Sequence, residues 1–416
     1  MSTTRPLSIL FVVPYLPSLI RVRPFNLIRT LAERGLSITL LALRPPGDDI
    51  GGLPSLRDWC KSVRVLPLAR RRIVWNLLSA FPRAIPLQAA YSRSPQLEST
   101  LRSLVRDNRF DLIHLEHLRG VELVPTDLDG LPPVVFDSVD SISLLFQRAS
   151  RGAVNWRSRA MARVDLGRTR DYEAAYATRF ARILVTSPED RDSILGLSAE
   201  HHPDASVAER RLVVVPNGVD LDYFRPLGGS RESDTVVFSG KLSYHANIAA
   251  ALDLVRQIMP IVWSERPDTK VWIVGKDPSP EVRDLAADAR VTITGTVPDV
   301  RPYVGRAALA VTPLRYGVGI QNKVLEAMAL ATPVVSTPGT CRAMQANPGE
   351  HLMIGETAPE LAGHVLAALG DEVLRSRLGA AGRRYVEQYH DWGSVAARLE
   401  RVYRDTIASV DPGGWN

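Results

Sequence analysis

The chain has 416 residues, 45% of them hydrophobic and 23% charged, which is room for two or three domains with full cores and an ordinary soluble composition. Two cysteines far apart in sequence, Cys60 and Cys341, exclude a disulfide framework or a cysteine metal cluster and fit a reducing compartment. The formal charge of +6 lies wholly in residues 1–222, with 30 Lys and Arg against 24 Asp and Glu; the remainder balances at 21 each. That excess suits an anionic partner such as a phospholipid surface or a lipid-phosphate acceptor, or reflects nothing more than an arginine-rich composition.

The chain opens on "PLSILFVVPYLPSLI". Pro14 and Pro17 interrupt it, no small-residue cleavage site follows, and residues 9–13 are expected to form a buried first strand rather than a signal core. "RPFNLIRTLAERG" then shows helix punctuation: Pro24 in the first turn, Leu27, Ile28 and Leu31 as an apolar stripe, and Gly35 as C-terminal cap. Further apolar runs follow at 37–43, 111–116, 133–138, 182–187 and 211–216, separated by helical patterns. Continuous apolar strands alternating with helices predict parallel sheets covered on both faces, an α/β architecture. Within this half, "LARRRIVWNLLSAFPRAIP" (68–86) places three arginines before Ile73, Val74, Leu77, Leu78 and Phe81, and residues 147–170 carry seven arginines against one Asp. Both fit an interfacial membrane element as well as helices with one core face and one solvated face. No window reaches the roughly 18 apolar residues of a membrane span.

"PNGVDLDYFRPLGGSRESD" (216–234) is rich in Pro, Gly, Ser and Asp and predicts a linker. A second strand–helix series starts at 235–240 and continues at 270–275, 291–295, 309–314 and 333–337, and the chain closes on a helix with Val395, Leu399 and Val402 on one side. The expected domains are 1–222, a linker at 223–234, 235–392, and a terminal helical segment 393–416. Two parallel-sheet domains in series leave a cleft at the carboxyl ends of their strands, where ligands bind.

Several motifs are incomplete. "GVGIQN" lacks the third glycine of a dinucleotide fingerprint, and "FSGKLS" has Leu242 where a P-loop needs Ser or Thr. The "DLD" repeats at 127–129 and 220–222 sit in turn-rich stretches, and His201–His202 has no third ligand nearby, so no metal is expected.

The informative stretch is "GVGIQNKVLEAMALATPVVSTPG" (317–339). Gly317 and Gly319 let the backbone approach a ligand, a helix begins near Asn322, and its free amides form an anion site. Lys323 adds a cation where helix electrostatics disfavour one, which makes sense if an anion visits. Glu326, one turn on, can accept from two vicinal hydroxyls of a ribose. Alone, the stretch fits equally a glycine loop with a surface Lys–Glu pair.

It resembles, however, the "G-x-G-x-x-x-K-x-L-E-A-M-A-x-x-x-P-V-V-x-T" region of family 4 glycosyltransferases, the glycosyl transferases group 1. "VVVPNGVDLDYFRP" (213–226), "VVFSGKLSYHANIAAALDLV" (236–255), "VWIVGKDP" (271–278), "VTITGTVPDVRPYV" (291–304) and "YHDWGSVAARLERVY" (389–403) are similar to further pieces of that family in the same order. The resemblance implies a GT-B fold, two Rossmann-like domains facing a central cleft. It also implies retaining sugar transfer from a nucleotide-diphosphate sugar to a glycan or lipid-linked acceptor, without a metal or nucleic acid. By position, Glu326 matches the ribose-binding carboxylate and Lys241, after Gly240, the cation for the diphosphate. Gly317, Val318, Gly319 and Ile320 match the loop whose amides meet phosphate and sugar. Val297 matches the backbone contact to the base, and His117 the first-domain His beside sugar and acceptor. Asn322 and Lys323 complete the donor-side set.

Two departures stand out. Val318 replaces a second Glu, and Ala246–Asn247 replaces a second cation that Lys323 is expected to supply; a subgroup with "G-x-x-N-K-V-L-E-A-M-A", associated with exopolysaccharide synthesis, is closer. In the first domain "PYLPSLIRVRP" replaces the usual glycine-rich loop, with Arg21 and Arg23 as acceptor-side phosphate contacts or as solvated arginines. The expected place of action is the cytoplasm, at the inner face of the membrane if the acceptor is lipid-linked. A sugar-nucleotide epimerase and a degenerate sugar-nucleotide-binding subunit are the alternatives.

Overall fold

A computed structural model describes residues 5–19, 21–80, 85–125, 130–152, 156–201, 205–315 and 319–409. The chain divides into two units: Met1–Ser150 with Trp156–Pro216 and Trp392–Asn416, and Asn217–Asp391 with Arg151–Asn155.

The first unit is built on a parallel sheet of β1 (Ser8–Val13), β2 (Ser37–Arg44), β3 (Ser62–Pro67), β4 (Leu112–Glu116), β5 (Val134–Val139), β6 (Arg182–Val185) and β7 (Leu212–Val214). Its order is β3-β2-β1-β4-β5-β6-β7. Ile9–Val13 are fully buried because β1 is central, paired on one side with β2 and on the other with β4. The helix Val22–Glu33 buries Leu27, Ile28 and Leu31 and ends where Gly35, at φ +87°, lets the Leu36 amide reach the Leu31 carbonyl at 3.1 Å. That apolar stripe packs with Trp392, Val395, Leu399 and Tyr403 of the terminal helix Trp392–Ser409, so the end of the chain completes the core around its first strand.

The second unit holds β8 (Glu232–Ser239), β9 (Lys270–Val274), β10 (Val291–Gly295), β11 (Ala307–Thr312), β12 (Val334–Ser336) and β13 (Met353–Ile354), in the order β10-β9-β8-β11-β12-β13 and again all parallel. Both sheets reverse direction of winding beside their first strand, between β1 and β4 and between β8 and β11. In such sheets the crevice at the carboxyl ends of those two strands is where a ligand fits.

The chain passes between units at Pro216–Asn217, not at 222–223, and the stretch expected as a linker belongs to the second unit. Its composition is that of a loop, but Arg231 donates to the carbonyls of Gly305, Ala307, Leu330 and Ala331 at 2.7 to 3.1 Å and to Thr332 Oγ1 at 2.8 Å. Phe224 packs against the apolar cluster under the helix Asn322–Ala329. Tertiary hydrogen bonds of this kind leave no mark on local composition.

Two glycines set the carboxyl edge of this sheet. Gly240 (φ +151°) follows β8 and Gly275 (φ +154°) follows β9. A Cβ on Gly275 would lie 1.7 Å from the Gly240 carbonyl oxygen. Gly275→Ala is therefore expected to destabilise the protein by about 3 kcal/mol or more, since backbone rather than a side chain must yield. Gly35→Ala, with positive φ but nothing within 4 Å of the added carbon, should cost about 1 kcal/mol. Thermal melting of the two variants checks the order; equal losses would show that the Gly240–Gly275 approach is not constrained.

Candidate functional site

At the β8/β11 reversal, Gly240 donates its amide to the Val274 carbonyl at 3.0 Å and Lys241 follows, exposed. The helix His245–Asp253 starts next, and its buried Asn247 donates Nδ2 to the Lys241 carbonyl at 2.9 Å, which fixes the turn. On the other side of the reversal, Gly319 (φ +64°) and Ile320 lead into the helix Asn322–Ala329, whose start has no side-chain cap. The Val324 and Leu325 amides turn back to the Gln321 carbonyl at 2.9 and 3.4 Å, so the amides that could meet an anion are those of Asn322 and Lys323. Gly317 and Val318 lie outside the described residues.

Lys323 extends from that first turn to donate Nζ to Asn247 Oδ1 at 2.6 Å, with the Phe238 ring centroid 5.4 Å away. Its side chain passes across Gly240, where a Cβ would stand 3.1 Å from Lys323 Cε and 2.8 Å from Asn247 Nδ2. Asn247 therefore does not replace the second cation by charge; it holds the ammonium of Lys323 at the turn after β8. Burial pushes the Lys323 ammonium down to about 8, opposed by the Glu326 charge, and pushes Glu326 up to about 7, opposed by Lys323. Asn322 Oδ1 accepts from Asn217 Nδ2 at 3.3 Å. The Ile320 side chain is buried in the apolar cluster, so it can meet a ligand only through its backbone, and the half-buried Val297 packs against that cluster. The structure thus gathers Gly240, Lys241, Asn247, Asn322, Lys323 and Glu326; Val297 follows the edge strand β10, two strands from β8.

At the β1/β4 reversal of the first unit, His117 follows β4 with φ +65°, and its amide donates to the Asp137 carbonyl at 2.7 Å. Val139, after Asp137 on β5, also has positive φ, +69°, unusual for a β-branched residue and a mark of strain at a strand end. The Arg119 amide donates to His117 Nδ1 at 3.2 Å, so the neutral ring carries its hydrogen on Nε2. Burial, then the charges of Arg119 and Arg21, lowers the His117 pKa to about 3, and the ring is a neutral N–H donor at physiological pH. His114 is structural: buried, stacked on Phe11 with centroids 4.2 Å apart, and joined at Nδ1 to the Tyr403 hydroxyl at 2.7 Å.

Arg21 and Arg23 part company. Arg21 is exposed, its Cζ 4.4 Å from the Tyr15 ring centroid. Arg23 is buried, donating Nε to Asp137 Oδ2 at 2.8 Å and Nη1 to the Pro216 carbonyl at 3.2 Å, which withdraws it from the acceptor-side set. Tyr15, Glu116 and Arg119 were not expected from sequence. Tyr15 donates its hydroxyl to Glu116 Oε1 at 2.8 Å, and burial, then the Asp137 charge, pushes Glu116 up to about 8. The signal available was their place immediately after β1 or at the end of β4.

The helix Arg70–Ala80 anchors itself by Asn76, which donates to the carbonyls of Tyr91 and Arg93 at 3.1 and 2.9 Å, and by Ile73 against the core. Its other face leaves Val74 (56% exposed), Trp75 (63%) and Leu78 (66%) in solvent beside exposed Arg70 and Arg71. Phe81 lies outside the described residues, as do the side chains of Arg151, Arg157, Arg159 and Arg163.

Two doubly wound parallel-sheet units in one chain are the GT-B architecture. Residues 233–371, a third of the chain, match the family model for glycosyl transferases group 1, and the chain has the GT-B fold. Among curated proteins it is similar to the phosphatidyl-myo-inositol mannosyltransferase of Mycobacterium tuberculosis H37Rv, 32% identical over 47% of this chain and 54% of that protein. The Mycobacterium leprae protein of the same name is 26% identical over 79% of this chain and 83% of its own length. The chain spans about half the length of the first of these relatives. Among solved structures it is similar to sucrose-phosphate synthase from Thermosynechococcus elongatus (TM-score 0.69, 19% identity, 97% of this chain and 100% of that one). It is also similar to Anabaena HepE in complex with UDP and glucose (TM-score 0.64, 14% identity, 96% and 100%). At these identities the structures establish the fold.

Lys323 needs its proton to meet an anion. A nucleoside diphosphate pairing with it raises its pKa, so above about pH 8 binding takes up a proton and weakens by up to about tenfold per pH unit. Titrations of a nucleoside diphosphate between pH 7.5 and 9 should show this slope in the wild type and lose it in Lys323→Gln. Identical slopes in the two proteins would place the phosphate away from Lys323.

Proposed function

We propose that the chain is a retaining glycosyltransferase that moves a sugar from a nucleotide-diphosphate sugar to a glycan or lipid-linked acceptor in cell-envelope or exopolysaccharide synthesis. The observation that carries this reading is Lys323. It sits in the uncapped first turn of a helix at the β8/β11 reversal, held by Asn247 over Gly240, with Glu326 one turn behind it. Two cationic side chains and free amides at one corner suit a diphosphate, and a carboxylate one turn on suits ribose hydroxyls.

The chemistry asked of the second unit is charge stabilisation. As the bond from the sugar's anomeric carbon to the diphosphate oxygen breaks, negative charge grows on the leaving phosphate. Lys241, Lys323 and the start of that helix are the groups proposed to stabilise it. The acceptor oxygen bonds to the anomeric carbon on the departing face, and its proton passes to the leaving phosphate oxygen. On the first unit, neutral His117 offers Nε2–H to a hydroxyl. A nucleoside-diphosphate mannose is the first donor to try, because relatives of the chain are mannosyltransferases. A screen of nucleotide sugars by melting temperature names the base, since a ligand of the native form alone raises it. Turnover with and without acceptor then separates transfer from epimerisation and from binding without turnover.

Glu326→Ala is expected to lower donor turnover by about two orders of magnitude, corresponding to roughly 2–3 kcal/mol for bonds to a charged group. Unaltered kinetics in that variant would remove the ribose assignment.

Among the described residues no helix is long and apolar enough to cross a membrane. Peripheral contact through the helix Arg70–Ala80 is the proposed route to a lipid-linked acceptor: Arg70 and Arg71 face anionic head groups while Val74, Trp75 and Leu78 enter the interface. The full chain should co-sediment with vesicles containing phosphatidylglycerol in a salt-sensitive manner, and Trp75→Ser should weaken this roughly tenfold. Wild-type protein left in the supernatant at low salt would refute it.

A further inference from the structure

The strand β5, paired with β4, ends in a tight turn. Val139 takes φ +69°, the Asp140 amide donates to the Ser138 carbonyl at 2.9 Å, and the Ser138 hydroxyl donates to the Asp140 carbonyl at 3.0 Å. The residue after β6 fastens the turn, the Thr186 amide donating to the Val139 carbonyl at 2.8 Å. Positive φ at a β-branched residue costs backbone energy, and here it sets the position of Asp140.

Five carboxylates stand at or near this edge of the sheet, and four of them serve the scaffold. Asp137 accepts from the Val139 amide at 3.1 Å and from Arg23 Nε at 2.8 Å. Glu173, on the helix Trp156–Ala174, accepts from the Ile142 amide at 2.6 Å with one oxygen and from the Ser141 hydroxyl at 3.1 Å with the other. Asp190, on the helix Pro188–His201, accepts from the Ser141 amide at 3.0 Å and from the Ser187 hydroxyl at 2.5 Å. Glu116 accepts from Tyr15 with Oε1, and its Oε2 is enclosed by the protein.

Asp140 differs from all four. Its Oδ1 accepts from Thr186 Oγ1 at 3.1 Å. Its Oδ2 has no partner among the described residues and is not enclosed, the residue being half-buried. Burial, then the Asp190 charge, pushes the Asp140 pKa up; Asp137 adds to the shift, while Thr186 and Arg23 oppose it. Glu189 and Arg148, paired with each other, act on Asp190. The charged form of Asp140 therefore costs the fold stability, and no contact of the fold uses its second oxygen.

We propose that Asp140 is an acceptor-binding residue: its free oxygen takes a hydrogen bond from a hydroxyl of the acceptor next to the one that receives the sugar. This rests on the glycosyltransferase reading above. The reacting hydroxyl keeps its proton for the leaving phosphate, so the hydroxyl at Asp140 is a neighbour of it. A carboxylate selects a hydroxyl donor over a deoxy or ether position, because hydrogen bonds to a charged group are strong. Asp140 thus fixes which hydroxyl of a polyol is presented for transfer.

The test measures transfer, from whichever nucleotide sugar stabilises the chain, to octyl glycosides of glucose, galactose and mannose. The monodeoxy forms of the best acceptor follow. With the wild type, one deoxy form should lose at least about thirtyfold in kcat/KM. Asp140→Ala should lower kcat/KM for the parent about as much, through KM for the acceptor, and should treat the parent and that deoxy form alike. The two deletions remove one and the same bond. KM for the donor should stay as it is. Melting temperature gives a second readout. The folded pKa of Asp140 lies above its unfolded value, so its charge destabilises increasingly as pH rises from the unfolded pKa to the folded one. Asp140→Asn should therefore melt above the wild type at about pH 8, with a smaller gain at about pH 5. The proposal fails if Asp140→Ala discriminates among the deoxy forms as the wild type does. It fails equally if Asp140→Asn melts below the wild type at about pH 8, or if no octyl glycoside accepts sugar. Should Asp140→Ala not fold, Asp140→Asn replaces it in the kinetic series. If no nucleotide sugar raises the wild-type melting temperature, the glycosyltransferase reading goes and this one with it; selectivity that survives in Asp140→Ala removes the role of Asp140 alone.

Discussion

A lysine ammonium in the first turn of a helix faces the positive end of the peptide dipoles, and nothing about helix stability favours it there. The second unit keeps one in that place by giving it a partner outside the helix, Asn247 Oδ1. Much of the local architecture serves that contact. Asn247 is itself tethered to the turn after β8, the turn depends on Gly240, and Gly240 lies against Gly275, where no side chain fits. Glu326 lies one turn behind, so a cation and an anion face the same corner with their pKa values drawn toward neutrality. Groups so displaced respond strongly to a bound anion or hydroxyl, which is the property a donor site needs.

The first unit solves a different problem at the equivalent place in its sheet. In its interior Arg23 pairs with Asp137 and the neutral His114 bonds the Tyr403 hydroxyl, while His114 Nε2 and Glu116 Oε2 are buried without a hydrogen-bond partner among the described residues. At the strand ends Arg21 and Arg119 make no ion pair among the described residues, and His117 is neutral at positive φ.

The second unit was the more legible from sequence, for a physical reason. Its site groups lie on one short stretch, and the helix from Asn322 follows from local spacing, as do the buried strands from Ile9 and Val236. The strand Ser62–Pro67 was missed because it is a half-exposed edge with Arg64 in its middle, not an apolar run. The two-residue strand Met353–Ile354 is too short to show a period. What escaped was long-range pairing. Lys323 finds Asn247 across 76 positions, and Arg23 finds Asp137 across 114. Arg21 and Arg23 look alike in sequence, yet two places apart at a helix start they point in different directions, one into the core and one out. The end of the linker was missed in the same way, because Arg231 is anchored by carbonyls more than 70 residues away.

The terminal helix bears on the order of events at the ribosome. Trp392, Leu399 and Tyr403 fill the core that Ile9 and Phe11 begin, so synthesis must pass residue 403 before the unit that starts at β1 can close. The intervening residues 217–391 are contiguous and have no such dependence. The unit translated second is thus the first able to finish folding, and until the helix from Trp392 emerges the early one waits with an apolar face uncovered, the kind of nascent surface on which chaperones act.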